Sequence, residues 1–260
     1  MYEALSIAAT GLRNQQMRLD VIANNVANVN TVGYKSTRLD FKDALYTAGL
    51  VPGLPRSVDE NQQKGHGVLV MHIGREFRPG NLERTENPLD LAIEGKDAFF
   101  SVRDQNGNVL YTRKGNFSLS AEADATYLVT SEGFYVLDVD GNRIPIPFGA
   151  NSLEADVDGT LRFLIGTEEI GRAQLGIFKF RNVYGLEASG DGNYAATPAA
   201  GERRVADDFV VRQGMLEGSN VHLGEEMTRL IRTQRAFQLA SRALTTADEM
   251  EGIANNMKRG

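Results

Sequence analysis

Leu19-Asp20-Val21-Ile22-Ala23-Asn24-Asn25-Val26-Ala27-Asn28-Val29-Asn30-Thr31-Val32-Gly33-Tyr34-Lys35 is the stretch on which the fold of this chain turns. Upstream of it and into it, Leu5, Leu12, Leu19 and Val26 recur every seven residues, with Ala8, Ile22 and Val29 on the adjoining row and no proline between them. That spacing predicts a helix with a single apolar stripe. Asparagine competes for helical backbone hydrogen bonds and Gly33 permits positive φ, so the helix is expected to end between Ala27 and Thr31 with a sharp polar exit.

The other terminus repeats the pattern. Leu223, Leu230, Phe237 and Leu244 keep the same period, and Met227, Ala240, Ala247, Ala243, Met250, Ala254 and Met257 carry apolar side chains toward the end. The N-terminal stripe is narrow: Gln15 sits where a full heptad wants an apolar residue, and its flanks are Asn, Gln and Ala. Burying one Leu or Val yields about 1.5–3 kcal/mol, which outweighs the ordering cost of such a helix only if every seam residue finds a partner. The two helices are therefore expected to need each other, and further copies of the chain. A two-helix stalk packed on its own β domain is the simpler alternative.

With 260 residues, the chain can form one large or two small domains with a substantial core. Apolar residues make up 42% and charged residues 24%, the balance of an ordinary globular protein. A net charge of −6 and scattered Lys and Arg argue against nucleic acid as the principal partner, because phosphate recognition needs clustered cations. No run of apolar residues is long enough to span a membrane. Met1-Tyr2-Glu3 lacks a basic leader and Arg13 breaks the apolar run, so no cleavable signal is expected, which by itself points to the cytoplasm. With no Cys in the chain, disulfides and thiolate chemistry are excluded.

Between the helices, Leu39, Phe41, Ala44, Leu45 and Tyr46 suggest a short helix or extended segment, and Thr47 to Gly67 reads as a Gly- and Pro-rich connector. From Val68 onward, short β-prone runs begin at Ala98, Val109, Asn116, Tyr127, Phe134, Thr160 and Ala173. Asn106-Gly107, Glu132-Gly133, Asp140-Gly141 and Asp158-Gly159 punctuate them, the strongest local hairpin signal. Gly185 to Gly201 reads as loop and Val210 to Leu216 as a last strand, after which Ser219 or Asn220 is expected to cap the second helix. The fold class is mixed α and β: paired N- and C-terminal coiled-coil-like helices bracket an inserted antiparallel β domain, sandwich- or barrel-like. The expected division is a helical domain of residues 1–30 plus 219–260, a connector of 31–69 and a β-rich outer domain of 70–218.

Catalytic and metal chemistry find no support. His66, His72 and His222 show no ligand spacing. Asp138-Val139-Asp140-Gly141 and Asp156-Val157-Asp158-Gly159 resemble the start of calcium loops but lack the remaining ligand positions, so hairpin turns are the better reading. No nucleophile elbow or phosphate loop appears, and no cofactor is expected.

The stretch from Ala23 through Asn24, Asn25, Ala27, Asn28, Asn30, Thr31 and Gly33 to Tyr34 and Lys35 is similar to the N-terminal motif of bacterial flagellar rod and hook proteins. Asn87-Pro88-Leu89-Asp90-Leu91-Ala92-Ile93-Glu94-Gly95, Tyr111-Thr112-Arg113 with Gly115-Asn116-Phe117, and Gly214 to Met227 followed by Thr233-Gln234-Arg235-Ala236-Phe237 agree with the same family. Four separated motifs in order are far more specific than one. The resemblance implies a structural, non-enzymatic subunit of the basal-body rod, exported by the flagellar type III apparatus without a cleaved signal. It also implies a helical homopolymer of the chain that transmits torque, surrounds the export channel and contacts neighbouring rod and hook proteins. Length and the connector favour the distal rod; proximal rod or hook-type subunits are alternatives within the family. On this reading Leu5, Leu12, Leu19, Ile22, Val26, Leu223, Met227, Leu230, Phe237 and Leu244 pack the axial helices. Glu225, Glu226, Arg229, Arg232 and Arg235, on the outer helix faces, set register between copies. A soluble β-domain binding module with a helical stalk is the alternative of another class, favoured if Phe99, Tyr111 and Phe134 form an exposed aromatic cluster.

Overall fold

A computed structural model describes residues 2–43, 46–48, 63–65, 68–122 and 125–257. They form a mixed α and β protein, with one long helix near each terminus and an antiparallel β region between. By contact the chain falls into two units: residues 1–27, 37–74 and 222–260, and residues 28–36 and 75–221.

In the first unit, helix α1 (Tyr2–Ala27) packs on helix α2 (Leu223–Met257). Helix α1 ends inside the Asn-rich stretch, at Ala27. Asn25 is 2% exposed, and its side-chain amide pairs with the backbone of Thr37, donating to the carbonyl at 3.0 Å and accepting from the N–H at 2.8 Å. The amide thus stands in for a strand neighbour and docks Thr37–Asp43, which forms a two-stranded sheet with Val68–Arg75. Leu39 and Phe41 therefore lie on a strand, and the Arg18 guanidinium stacks 4.4 Å above the Phe41 ring. Tyr46–Ala48 pairs with Gln63–Gly65. The rest of the proposed connector, and His66, lie outside the described residues.

Along α2 the burial stripe runs Glu226, Leu230, Thr233, Phe237, Ala240, Leu244 and Ala247, alternating steps of four and three, with Ala236 and Ser241 half-buried beside it. Leu230, Phe237 and Leu244 fall on this stripe as the sequence predicts. Leu223 and Met227 do not: they are 45% and 42% exposed. At this end the stripe is instead carried by Glu226, at 4%, and, two turns further on, Thr233, also at 4%. Leu223 is the first residue of α2, ahead of the turn where the stripe begins, and Met227 lies one position past Glu226, on the adjacent exposed face.

The second unit is built on a ten-stranded antiparallel sheet. Its main path runs Pro145–Ile146, Thr126–Thr130, Tyr135–Val136, Ala98–Arg103, Val109–Thr112, Asn193–Ala196 and Leu186–Gly190. Ala98–Arg103 lies at its centre and is buried on both faces. Side chains alternate across a strand. Ala98, Phe100 and Val102 therefore enter one apolar cluster, with Leu91, Phe117, Leu128, Leu161 and Phe163, while Phe99 enters the other. That second cluster is aromatic: Phe99, Tyr111, Phe178, Phe180 and Tyr194 meet edge to face. Phe99 and Tyr111 are 0% and 3% exposed and Phe134 packs against the first cluster, so the three form no exposed aromatic platform.

The Gly-centred turns at 107, 133, 141 and 159 each close on the carbonyl three residues earlier, as their sequences predict. Asp138 accepts from the Asn142 N–H and Asp158 from the Thr160 N–H, so both Asp-rich stretches are hairpin turns. Three expectations are corrected. Residues 185–201 are not loop but contain the hairpin of Leu186–Gly190 with Asn193–Ala196, anchored by the fully buried Tyr194. The run from Ala173 to Phe180 breaks at Leu175-Gly176 into strands of two sheets, Glu168–Gln174 and Ile177–Phe180. The final strand is two, Val210–Gln213 on Leu91–Glu94 and Met215–Glu217 on Leu82–Arg84, with Gly214 at φ +69° between them.

Candidate functional site

The second unit gathers the four sequence motifs into one buried knot. Lys35, at the end of the Asn-rich stretch, is fully buried, and its Nζ donates to Glu217 Oε1 at 2.6 Å and to the Arg78 carbonyl at 2.8 Å. Arg113, from the Tyr111-Thr112-Arg113 motif, reaches Glu217 Oε2 at 3.2 Å and donates to the carbonyls of Ile93 at 3.0 Å and Gly95 at 2.7 Å. Glu217 also accepts from the Gly80 N–H at 2.8 Å, and its own carbonyl accepts from Gly33 N–H at 2.7 Å. One carboxylate thus faces two cations, all three side chains at most 1% exposed.

Electrostatics follow from that count. Burial pushes the Lys35 ammonium down from its usual value, Glu217 opposes the shift, and Arg113 reinforces it. Burial likewise pushes Arg113 down against the pull of Glu217 and Asp97. We take Lys35 as the softer of the two cations, since a guanidinium stays charged where an ammonium yields. The desolvation cost is tolerable only because each charge has several fixed partners.

Beside this cluster Asn220 makes a second staple. The sequence offers Ser219 or Asn220 as the cap of α2; instead Asn220 Oδ1 accepts from the Ser36 N–H at 2.7 Å and its Nδ2 donates to the carbonyls of Glu76 at 2.7 Å and Arg78 at 3.1 Å, while Ser219 Oγ accepts from the Val221 N–H ahead of the helix. The Asn220 backbone N–H reaches the Tyr34 carbonyl. Helix α2 begins three residues later, with the His222 carbonyl accepting from the Glu226 N–H. Close backbone approach completes the knot. Gly33 has φ +66°, and a Cβ there would lie 2.9 Å from the Arg113 carbonyl carbon; a Cβ at Gly115 would lie 1.5 Å from the Leu91 oxygen. Leu91 N–H donates to the Gly115 carbonyl, and Gly214 N–H to that of Asp90.

Of the predicted motif residues, Gly33, Tyr34 and Lys35 enter the knot, and Asn25 docks Thr37 in the first unit. Asn28 and Thr31 shape the turn between, Thr31 donating to Asn28 Oδ1 at 3.1 Å, while Ala23, Asn24, Ala27 and Asn30 are exposed. Among the helix positions Ile22 is buried, and Leu12, Leu19 and Val26 are half-buried; the Leu5 side chain lies outside the described residues. Glu225, Arg229, Arg232 and Arg235 are exposed. Glu226 is not on the outer face: its Oε1 accepts from Arg229 at 2.6 Å and its Oε2 is buried without a hydrogen-bond partner. Nothing in the local sequence marks Arg113, Glu217 or Asn220 as site residues, although all three stand inside the quoted motifs. Among the described residues no group of three or more His, Asp and Glu side chains could hold a metal ion, and no helix is long and apolar enough to cross a membrane.

Comparison with known proteins matches this layout. The family described as flagella basal body rod protein matches residues 5–35, that of the flagellar hook protein FlgE/F/G D1 domain residues 92–163, and that of the flagellar basal body rod FlgEFG protein C-terminal residues 212–257. The chain is 39% identical over 270 residues to the flagellar basal-body rod protein FlgG of Agrobacterium fabrum, covering 98% of this chain and 99% of the relative. It is 35% identical over 271 residues to the FlgG of Bacillus subtilis, covering the whole of both. A second B. subtilis protein, the flagellar hook-basal body complex protein FlhP, is 30% identical over 277 residues, 99% of this chain and all of the relative. The three family matches lie on α1 and its exit, on the core of the β region, and on the final strands with α2. The chain therefore belongs to the flagellar basal-body rod protein family, as a structural subunit of the basal body and not an enzyme.

Proposed function

We propose that the chain is a distal-rod subunit that polymerises through its terminal helices into a helical tube, transmitting torque and surrounding the export channel. The observation that carries this reading is the apolar surface left on α2. Leu223, Met227 and Ile231 are 45%, 42% and 52% exposed, and Met250, Ile253 and Met257 are 64%, 61% and 80% exposed. A helix of 35 residues that has buried one narrow stripe on α1 still carries exposed apolar side chains at several points off that stripe. Covering them with other helices removes that apolar surface from water. Coiled-coil-like packing among copies would use it, with Arg229, Arg232 and Arg235 on the solvated side fixing register together with Glu225. Residues 1–30 with 219–260 then make the axial core, and residues 70–218 the outer domain. Neighbouring rod and hook proteins are the partners at either end, and the flagellar type III apparatus is the route of export.

The distal position rests on end-to-end similarity to FlgG relatives. Electron microscopy of basal bodies from a strain carrying an in-frame deletion tests it. A rod truncated beyond its proximal part, with no hook, is expected; complete hook-bearing basal bodies would overturn it.

A further inference from the structure

Three segments meet in the knot: residues 28–36, which leave α1; residues 75–81; and residues 214–221, which lead into α2. Every covalent passage between the two units, after residues 27, 36, 74 and 221, begins or ends in one of them. We propose that the Lys35–Glu217–Arg113 cluster, with Asn220, is a closing lock that fixes the roots of α1 and α2 together only after the β unit has folded. The two helices then enter assembly as a pair from one chain instead of each recruiting a different copy.

The order of events follows from sequence separation. Lys35 and Glu217 are 182 positions apart, Ser36 and Asn220 184, and Arg113 and Glu217 104. None of these bonds can form locally. Lys35 cannot be buried with its charge until the carboxylate is in place, and Glu217 is in place only when Met215–Glu217 has paired with Leu82–Arg84. The lock therefore closes last and cooperatively.

The consequence follows from the weakness of the seam. The inner stripe of α2 carries Glu226 and Thr233, and α1 buries the Gln15 Oε1 without a partner. Polar groups in a seam lower its strength while restricting which registers are acceptable. A weak seam depends on effective concentration, which two anchored roots raise and two free tethers do not.

The chain has no cysteine, so spin labels can be placed cleanly at Ala27→Cys and His222→Cys, both exposed positions. Pulsed dipolar spectroscopy on the full chain should give one narrow distance. Glu217→Gln and Lys35→Met should lose that narrow peak while the amides of Ala98–Arg103, though less protected than in wild type, stay protected far above the unfolded chain. If Glu217→Gln loses that protection, Lys35→Met, which leaves Glu217 paired with Arg113, and Asn220→Ala, which leaves the ion cluster intact, carry the test. A narrow peak retained in every folded variant would overturn the lock. Its role in assembly rests on the rod reading, but the spectroscopic result does not. Complete basal bodies in a deletion strain would remove the rod reading and leave the lock standing.

Discussion

Lys35 Nζ and Glu217 Oε1 lie 2.6 Å apart, fully buried, although 182 residues separate them in the chain. Arg113 shares the same carboxylate, so two buried cations face one buried anion, with the half-buried Asp97 adding a weaker pull on both. The asymmetry decides what each substitution does. Glu217→Gln strands two buried positive charges and should destabilise the β unit by about 3–5 kcal/mol, the usual cost of leaving a buried charge uncompensated. Lys35→Met leaves a balanced Arg113–Glu217 pair and loses chiefly hydrogen bonds, about 1–3 kcal/mol. Urea unfolding followed by tyrosine fluorescence should rank them in that order; the reverse would mean that Arg113 does not contribute to the balance.

The same count sets a pH dependence. Burial, opposed by Glu217, holds the Lys35 value below its usual 10.5 in the folded chain. Between the folded value and 10.5 the unfolded chain binds more protons, so stability should rise with pH across that window. Below the folded value the penalty for the buried charge is complete and constant. Lys35→Met lacks this group, so the stability difference between wild type and Lys35→Met should shift in favour of wild type as pH enters the window. A difference that stays flat up to pH 10.5 would contradict the shift.

Glu132 works in the opposite sense. Burial alone would raise its carboxyl, but the hydrogen bond and charge of Lys114, at 2.6 Å, outweigh burial and hold it below its usual 4.5. A depressed carboxylate contributes stability above 4.5 and loses it as pH falls through the lower folded value. Glu132→Gln should therefore cost about 1 kcal/mol at neutral pH, in the range for a partly buried pair. The gap to wild type should close below pH 4.5, as thermal melts across an acid series would register.

Backbone approach separates two kinds of glycine. Gly107, at φ +90° with nothing within 4 Å of a Cβ, should tolerate alanine at the cost of left-handed strain alone, about 1–2 kcal/mol. Gly115→Ala would set a methyl 1.5 Å from the Leu91 oxygen and must break the Leu91–Gly115 backbone bond. Loss of the cooperative melt is expected for Gly115→Ala and retention for Gly107→Ala. Equal melts would mean that the strands at the knot can part without cost.

Much of this architecture is legible in the sequence because it is local. The Asn run ends α1 at Ala27, and Thr160–Ile165 and the four Gly turns are set by residues within a few positions of each other. The hairpin of Leu186–Gly190 with Asn193–Ala196 was hidden because its alternation is carried by Gly, Ala and Ser. What makes it a hairpin is Tyr194 entering an aromatic cluster supplied by distant strands. Asn220 shows the same limit. Its side chain suits a helix cap, and only the arrival of Ser36 from 184 positions away redirects it. The Lys35–Glu217–Arg113 cluster has no periodicity at all; each member stands in a recognised motif, but nothing local says that they meet.

The exposed apolar side chains of α2 give the sharpest test of assembly. Ile231 is 52% exposed and lies off the stripe that runs through Glu226, Leu230 and Thr233. In the isolated chain Ile231→Asp removes little buried surface, so stability should change by less than about 0.5 kcal/mol, as for surface substitutions generally. In a polymer the same side chain would lie between helices, and a carboxylate there would be desolvated without a partner. The variant should therefore melt like wild type yet fail to restore rods and swimming to a deletion strain. Phe237→Ala, on the inner stripe, should lower helix content already in the isolated chain, as circular dichroism would record. Rods formed normally by Ile231→Asp would mean that the exposed apolar side chains of α2 stay in water, and that the copies join through another surface.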